Sequence, residues 1–224
     1  MGVSSIGADR RARLRDAHLY FVADRVGLER ALDGALGGGV DVVQVRDKTA
    51  TDAEILATAA WAAERCAAHG ALFIVNDRPD LAAQAGADGV HVGQDDTPVA
   101  EARAAVGDDA IVGLSTHSIA QADAGAVSGA DYIAVGPVHA TPTKEGRPAI
   151  GLDPVSHAAA HVRGVPWFAI GGIGPETVGA VVAAGARRAV IVRAIANADD
   201  PEAVTRGLRA ALTGGAVGAG RGAT

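Results

Sequence analysis

Four segments of the chain enter a short apolar run through nearly the same phrase: "GVDVVQV" from Gly39, "GADGVHV" from Gly86, "GADYIAV" from Gly129 and "GARRAVIV" from Gly185. Glycine can end a helix in the left-handed region without a steric penalty, so the phrase marks a tight turn from a helix into a strand. Between these runs lie others of similar length and β-branched character that lack the phrase. Together they predict strands at His18–Val22, Asp41–Val45, Leu72–Val75, Gly89–Val92, Ala110–Leu114, Asp131–Val135, Pro166–Ile170 and Ala189–Val192. Alanine-rich segments with helical spacing separate them, including Asp52–His69, Thr97–Val106, Ile119–Val127, Pro154–Val162, Pro175–Ala184 and Pro201–Leu212. Cap chemistry is expected at Thr51 or Asp52, at Asp96 or Thr97 before Pro98, at Gly174 before Pro175 and at Asp200 before Pro201. In an open sheet, edge strands should read differently from central ones. A two-unit repeat used four times instead predicts closure, and the fold class expected is α/β, a single (β/α)₈ TIM barrel.

A chain of 224 residues suits one such barrel. Residues 1–213 are expected to form one barrel domain with a short N-terminal extension, and 214–224, "GGAVGAGRGAT", a disordered tail. The formal net charge of -6 argues against a nucleic-acid or anionic-membrane surface, so any phosphate recognition must be local. The single cysteine, Cys66, excludes an intrachain disulfide and a cysteine-rich zinc site, and fits a reducing compartment. No window reaches the roughly 18 apolar residues of a spanning helix, and the first residues lack a cleavable leader pattern. The expectation is a soluble, cytoplasmic protein.

Barrels of this kind bind ligands at the C-terminal ends of their strands. "QVRDK" follows strand two, where a period of two sends Gln44, Arg46 and Lys48 one way and Asp47 the other. Asn76 and Asp77 follow strand three, "HVGQDD" brings Asp95 and Asp96 after strand four, and Ser115 ends strand five. Strand six leads into "HATPTKEGRPAIG", with Thr141, Thr143 and Lys144. "AIGGIG" closes strand seven, and strand eight runs through Val192 into Arg193. Singly these are ordinary: Arg46 as a solvated strand end, Asp95 and Asp96 as an N-cap pair, the glycines as turns. Clustered at consecutive strand ends, they locate a site.

Its chemistry suits a diphosphate and a divalent ion. Arg46 can fork two phosphate oxygens, while Lys48 and Lys144, the only lysines in the chain, supply point charges. Asp77 with Asp95 or Asp96 would offer hard oxygens to magnesium, the rest of the octahedron coming from waters and phosphate. The Gly171–Gly174 turn would present backbone N–H groups to a second phosphate. Ser115 and His117 do not make a hydrolytic triad, there being no nucleophile-elbow motif. His91, His117, His139, His157 and His161 lack a zinc-binding pattern.

From about His18 to Ile195 the motif order "QVRDK", "ND", "GVHVGQDD", "GLS", "GPVHATPTK" with a following "GL", "AIGGI" and "VRAI" resembles the thiamine-phosphate synthase (pyrophosphorylase) family. The resemblance implies a transferase that joins 4-amino-5-hydroxymethyl-2-methylpyrimidine diphosphate to 4-methyl-5-(2-hydroxyethyl)thiazole phosphate, or its carboxylate form, in thiamine biosynthesis. Diphosphate is released with the help of Mg2+. Carried over by motif, Gln44 contacts the pyrimidine, and Arg46, Lys48, Asn76 and Lys144 hold the diphosphate. Ser115 touches either group. Asp77 and Asp96, the latter ending the H-x-G-x-x-D pattern, ligate magnesium. Thr141, Thr143, Gly172, Val192 and Arg193 surround the thiazole phosphate, and Arg46, Lys48, Ser115 and Lys144 are the catalytic set. The chain departs from the family at His139, where an aromatic is usual, and at Arg193, where serine is common. Arg193 either clamps the phosphate or turns outward and lends only its N–H. Two rivals remain: a thiazole tautomerase on the same barrel, and a phosphate-binding sensor.

Overall fold

The computed structural model describes residues 4–140 and 149–214. Its strands are β1 (Leu19–Ala23), β2 (Val42–Val45), β3 (Leu72–Asn76), β4 (Gly89–Val92), β5 (Ile111–Thr116), β6 (Tyr132–Val135), β7 (Trp167–Ile170) and β8 (Ala189–Ile191). Each pairs in parallel with the next, and β8 returns to β1 through Leu19↔Ala189 and Phe21↔Ile191, closing the barrel. Side-chain alternation splits the apolar residues into two layers. Tyr20, Val22, Val42, Leu72, Ile74, Ile111, Tyr132, Phe168 and Val190 fill the interior. Leu19, Phe21, Val43, Phe73, Val75, Val90, Val112 and Ile133 face the helices. With both faces covered, the strands read as continuous apolar runs.

Nine helices lie after the first strand: α2 (Arg25–Gly37), α3 (Asp52–Ala68), α4 (Pro79–Gln84), α5 (Val99–Val106), α6 (Ile119–Ala126), α7 (Asp153–His161), α8 (Val178–Ala183), α9 (Arg193–Ala196) and α10 (Pro201–Thr213), among the described residues. Thr51 caps α3 with a reciprocal box to Glu54, and Asp200 caps α10 by accepting from the N–H of Ala203. Two expected starts are corrected. α5 begins beyond Pro98 without a side-chain cap, because the Asp96 carboxylate turns back to the N–H of Gly93 at 2.8 Å. α8 begins at Val178, because Gly171–Thr177 form a self-bonded turn first.

The four repeat glycines all hold positive φ, at 91° for Gly39, 63° for Gly86, 87° for Gly129 and 102° for Gly185. Gly70, Gly107 and Gly164 do the same before β3, β5 and β7, so the left-handed turn does not distinguish the repeat. The aspartate after it does. Asp41 accepts the N–H of Leu19, Asp88 that of Phe73 and Asp131 that of Val112, each fastening the start of the preceding strand. Arginines clamp these carboxylates: Arg209 on Asp41, Arg10 on Asp88, and Arg11 with Arg103 on Asp131. In the fourth copy the position is Arg187.

Two of those arginines come from a helix the repeat does not announce. The expected N-terminal extension is α1 (Ser5–Asp16), whose buried Leu14 packs with Ala17 against the interior residues at the strands' N-terminal ends. Ser4 caps it and binds Asp109 through its N–H and hydroxyl, both at 2.7 Å. One end of the barrel is thereby sealed. The expected tail starts where α10 stops, at Gly214 in the left-handed conformation, and its remaining residues lie outside those described.

Candidate active site

The opposite end opens into a cavity of about 1040 Å³. That is at the top of the ~300–1,000 Å³ range for a pocket holding one drug-sized ligand, which leaves room for two small ones. Gln44, Arg46, Lys48, Asn76, Asp77, Asp95, Asp96, Ser115, Gly172, Val192 and Arg193 all line it, so the sequence-predicted groups from six strand ends meet in one place. Thr141, Thr143 and Lys144 lie outside the described residues.

Asp47 also lines the cavity, against the expectation that it points away. β2 ends at Val45, so strict alternation no longer governs it. Its carboxylate instead closes a turn, accepting the N–H groups of Thr49 and Ala50 at 3.1 Å and the Thr49 hydroxyl at 2.9 Å. That turn presents Lys48, whose Nζ lies 3.2 Å from Asp77 Oδ2.

Asp77 is the one non-glycine residue with positive φ among those described, at 59°. Its N–H donates to the carbonyl of His91 at 2.8 Å, which ties the end of β3 to β4. Its carboxyl is pushed above its usual range, first by burial, then by a hydrogen bond and charge from Asp96, with Lys48 opposing both. Two hard-oxygen ligands in contact, at a backbone position of local strain, fit a divalent cation that would relieve their repulsion. No group of three or more His, Cys, Asp or Glu among the described residues is placed to hold a metal. A magnesium ion would therefore draw on Asp77 and Asp96 and complete its shell from water and substrate oxygens.

Across the cavity, the "GGIG" turn differs from expectation. Thr177 Oγ1 accepts the N–H of Gly174 at 2.9 Å and donates to the Gly172 carbonyl at 3.0 Å, so the Gly174 N–H is already engaged. Gly171 and Gly172 keep positive φ of 107° and 62°. A Cβ on Gly172 would come within 2.7 Å of His139 Cβ, so glycine is needed there for the strand-six loop to pass. Arg193, exposed, stands at the cavity rim.

Sequence reasoning passed over Tyr20 and His91, which line the cavity floor, and Tyr132 behind them. Gln44 and Ser115 are 3% and 4% exposed, and a buried chain joins them. Gln44 Nε2 donates to Tyr20 Oη at 2.6 Å, Tyr20 Oη meets Tyr132 Oη at 2.9 Å, and His91 lies 2.9 Å from both Tyr132 Oη and Ser115 Oγ. Tyr20 and Tyr132 are the only tyrosines in the sequence. An inward position by alternation, with a hydroxyl that must find a partner when buried, was the available signal.

The description "Thiamine monophosphate synthase" covers a family whose pattern matches residues 19–195. The chain is 52% identical over 213 residues to a thiamine-phosphate synthase of Saccharopolyspora erythraea, covering 90% of this chain and 96% of that one. It is 53% identical over 196 residues to a thiamine-phosphate synthase of Acidothermus cellulolyticus, covering 85% and 92% respectively. Among solved structures, a thiamine phosphate pyrophosphorylase from Pyrococcus furiosus superposes with a TM-score of 0.80 at 31% identity, covering 90% of this chain and 96% of the other.

Proposed function

Because the chain belongs to the thiamine monophosphate synthase family and is a transferase, we propose that it joins the aminopyrimidine diphosphate to the thiazole phosphate, or to its carboxylate form, and releases diphosphate. The observation that carries this reading is that Arg46 and Lys48 line the same cavity as the contacting carboxylates Asp77 and Asp96, with Lys48 Nζ 3.2 Å from Asp77 Oδ2. Cations beside a carboxylate pair suit a polyanion that arrives with a divalent metal. Magnesium held by Asp77 and Asp96 would neutralise charge on the leaving diphosphate. The cytoplasm is the proposed compartment, a reading with which the free Cys66 thiol is compatible.

The bond between the pyrimidine methylene carbon and the diphosphate oxygen breaks, and its electron pair leaves with the diphosphate. The amino group of the pyrimidine donates electron density to the cation so formed, and the thiazole nitrogen closes the new C–N bond with its lone pair. With the plain thiazole phosphate no proton changes hands, so that step needs no general base; the carboxylate form would in addition lose its carboxyl group as CO2 and take up a proton from solvent. Arg46, Lys48 and Lys144, the last outside the described residues, stabilise the departing charge; Asn76 and Ser115 add hydrogen bonds to it. Gln44 orients the pyrimidine from the cavity floor. Gly172, Val192 and Arg193, with Thr141 and Thr143, anchor the thiazole phosphate so that its nitrogen is held for attack. Arg193, exposed where it lines the cavity, serves either through its side chain as a clamp or, with that side chain turned outward, through its N–H.

The test is an omission assay with both substrates and magnesium. Thiamine phosphate formed only when both substrates are present supports the synthase. Isomerisation of a thiazole carboxylate alone would make it a tautomerase. Saturable binding without turnover would make it a sensor.

A further inference from the structure

The buried chain from Gln44 to Ser115 has a direction. The Nε2 of an amide can only donate, so Tyr20 Oη accepts it at 2.6 Å. Tyr20 then has one proton to give, and Tyr132 Oη lies 2.9 Å away. Tyr132 in turn donates to His91 Nδ1, also at 2.9 Å. A neutral imidazole that accepts at Nδ1 carries its proton on Nε2, which faces Ser115 Oγ at 2.9 Å. A serine oxygen that accepts from histidine keeps its own proton for donation. The opposite polarity requires the Gln44 amide to turn over and set its oxygen on Tyr20; with the amide nitrogen on Tyr20, it would leave Tyr20 accepting from both neighbours and its hydroxyl proton facing no acceptor among the described residues.

The barrel is shaped to hold this chain. Tyr132 pairs with Gly113, which pairs in turn with His91, and a Cβ on Gly113 would lie 2.1 Å from the Tyr132 ring. The absent side chain is what lets the Tyr132 hydroxyl reach His91, and it accounts for the glycine of "GLS". Phe168 packs edge-on against both tyrosines, with ring centroids 5.6 Å and 5.7 Å away. Burial raises both phenols far above their ordinary range, so they remain proton donors throughout the working range of the protein.

We propose that Tyr20, Tyr132 and His91 are positioning residues, a one-way hydrogen-bond chain that commits Gln44 to present its amide oxygen, and Ser115 its hydroxyl proton, to the substrate. With Nε2 bound to Tyr20, the Gln44 oxygen is the edge offered to a donor such as a ring amino group. Ser115 at the other end donates to an anionic oxygen. The assignment of those substrate groups rests on the synthase reading above; the polarity of the chain does not. The device selects an aminopyrimidine over its oxo analogue, which would set an acceptor against the Gln44 oxygen.

The test has two arms. Long-range ¹H–¹⁵N correlation on ¹⁵N-histidine-labelled, ligand-free protein reads the tautomer of His91, its resonance identified by its loss in His91→Asn. The expected result is the Nε2–H form in the native protein and a mixed or reversed form in Tyr132→Phe. An Nδ1–H form in the native protein, or a tautomer unmoved by Tyr132→Phe, overturns the chain. In the second arm, Tyr20→Phe frees the Gln44 amide to flip, and the ratio of kcat/KM for the amino over the oxo pyrimidine diphosphate is expected to fall at least tenfold. An unchanged ratio overturns the selective role. If the native protein turned over neither compound, the synthase reading would fail while the tautomer still decided the chain.

Discussion

Replacing Asp77 by asparagine separates charge from shape at the carboxylate pair. Asparagine has the same branching and accepts the left-handed backbone found there, φ 59°, so the variant loses charge without new strain. In the native protein, burial first and Asp96 second hold the Asp77 carboxyl above its usual range, against the pull of Lys48. A carboxyl raised by folding binds its proton more tightly in the native than in the unfolded state. Its stabilising contribution is full below the unfolded pKa and is lost as pH rises through the folded one. The magnesium-free variant is therefore expected to melt at or above the native protein at neutral pH. Magnesium reverses the order. At about a hundred times its Kd, with inorganic diphosphate held constant, it adds about 2.7 kcal/mol to the native protein. At ~2–4 °C per kcal/mol for a domain of this size, the shift in Tm is about 5–11 °C. Even outer-shell changes weaken metal binding by about 10–100-fold, and Asp77 is a proposed direct ligand. For a hundredfold loss, the same magnesium adds only about 0.4 kcal/mol, or ~1–2 °C. Thermal unfolding followed by fluorescence reads both shifts. Equal magnesium shifts in the two proteins would refute Asp77 as a ligand.

Lys144→Ala is expected to lower the single-turnover rate at least tenfold with little change in Tm, and a near-native rate in rapid-quench measurements would remove Lys144 from the diphosphate site. At the sealed end, Asp131→Ala strips the acceptor from the Val112 N–H and the partner from Arg11 and Arg103, with 12% of the Asp131 side chain exposed. Breaking such a pair from one side costs about 3–5 kcal/mol in urea unfolding. Asp131→Asn keeps an acceptor and is expected to cost about 1–3 kcal/mol less; equal losses would mean that the N–H is not what the side chain satisfies. Burial pushes the Cys66 thiol up to about 12, so a disulfide reagent at mild alkaline pH should leave the folded protein unlabelled and react fully in urea. Rapid labelling of the folded protein would contradict that burial.

The barrel was legible because the "GxD" phrase serves three separate needs: a left-handed turn, a carboxylate for the preceding strand's N–H, and a charge for an arginine on the sealed end. Only the first was read from the sequence. Arg10, Arg11 and Arg103 are 78, 120 and 28 residues from their partners, and nothing local links them. The site was legible wherever a polar residue breaks an apolar strand at its C-terminal end, as at Arg46, Asp77 and Ser115. Alternation failed at Asp47, one residue beyond Arg46, because a side chain that caps a turn follows its hydrogen bonds and not the pleat. At Gly174 the structure adds a partner that the sequence did not announce, the Thr177 hydroxyl, which accepts its N–H. The Tyr20–Tyr132–His91 chain was hidden because each member, alone, is an ordinary buried residue, and only the closed barrel brings three strands' interiors within hydrogen-bonding reach.

A crystal structure with magnesium and inorganic diphosphate tests the central claim most directly. The account expects a metal ion bridging the carboxylates of Asp77 and Asp96 to diphosphate oxygens, with Arg46 and Lys48 on the same anion. Diphosphate bound only at the Gly171–Gly172 turn, with no metal on the two aspartates, would contradict it.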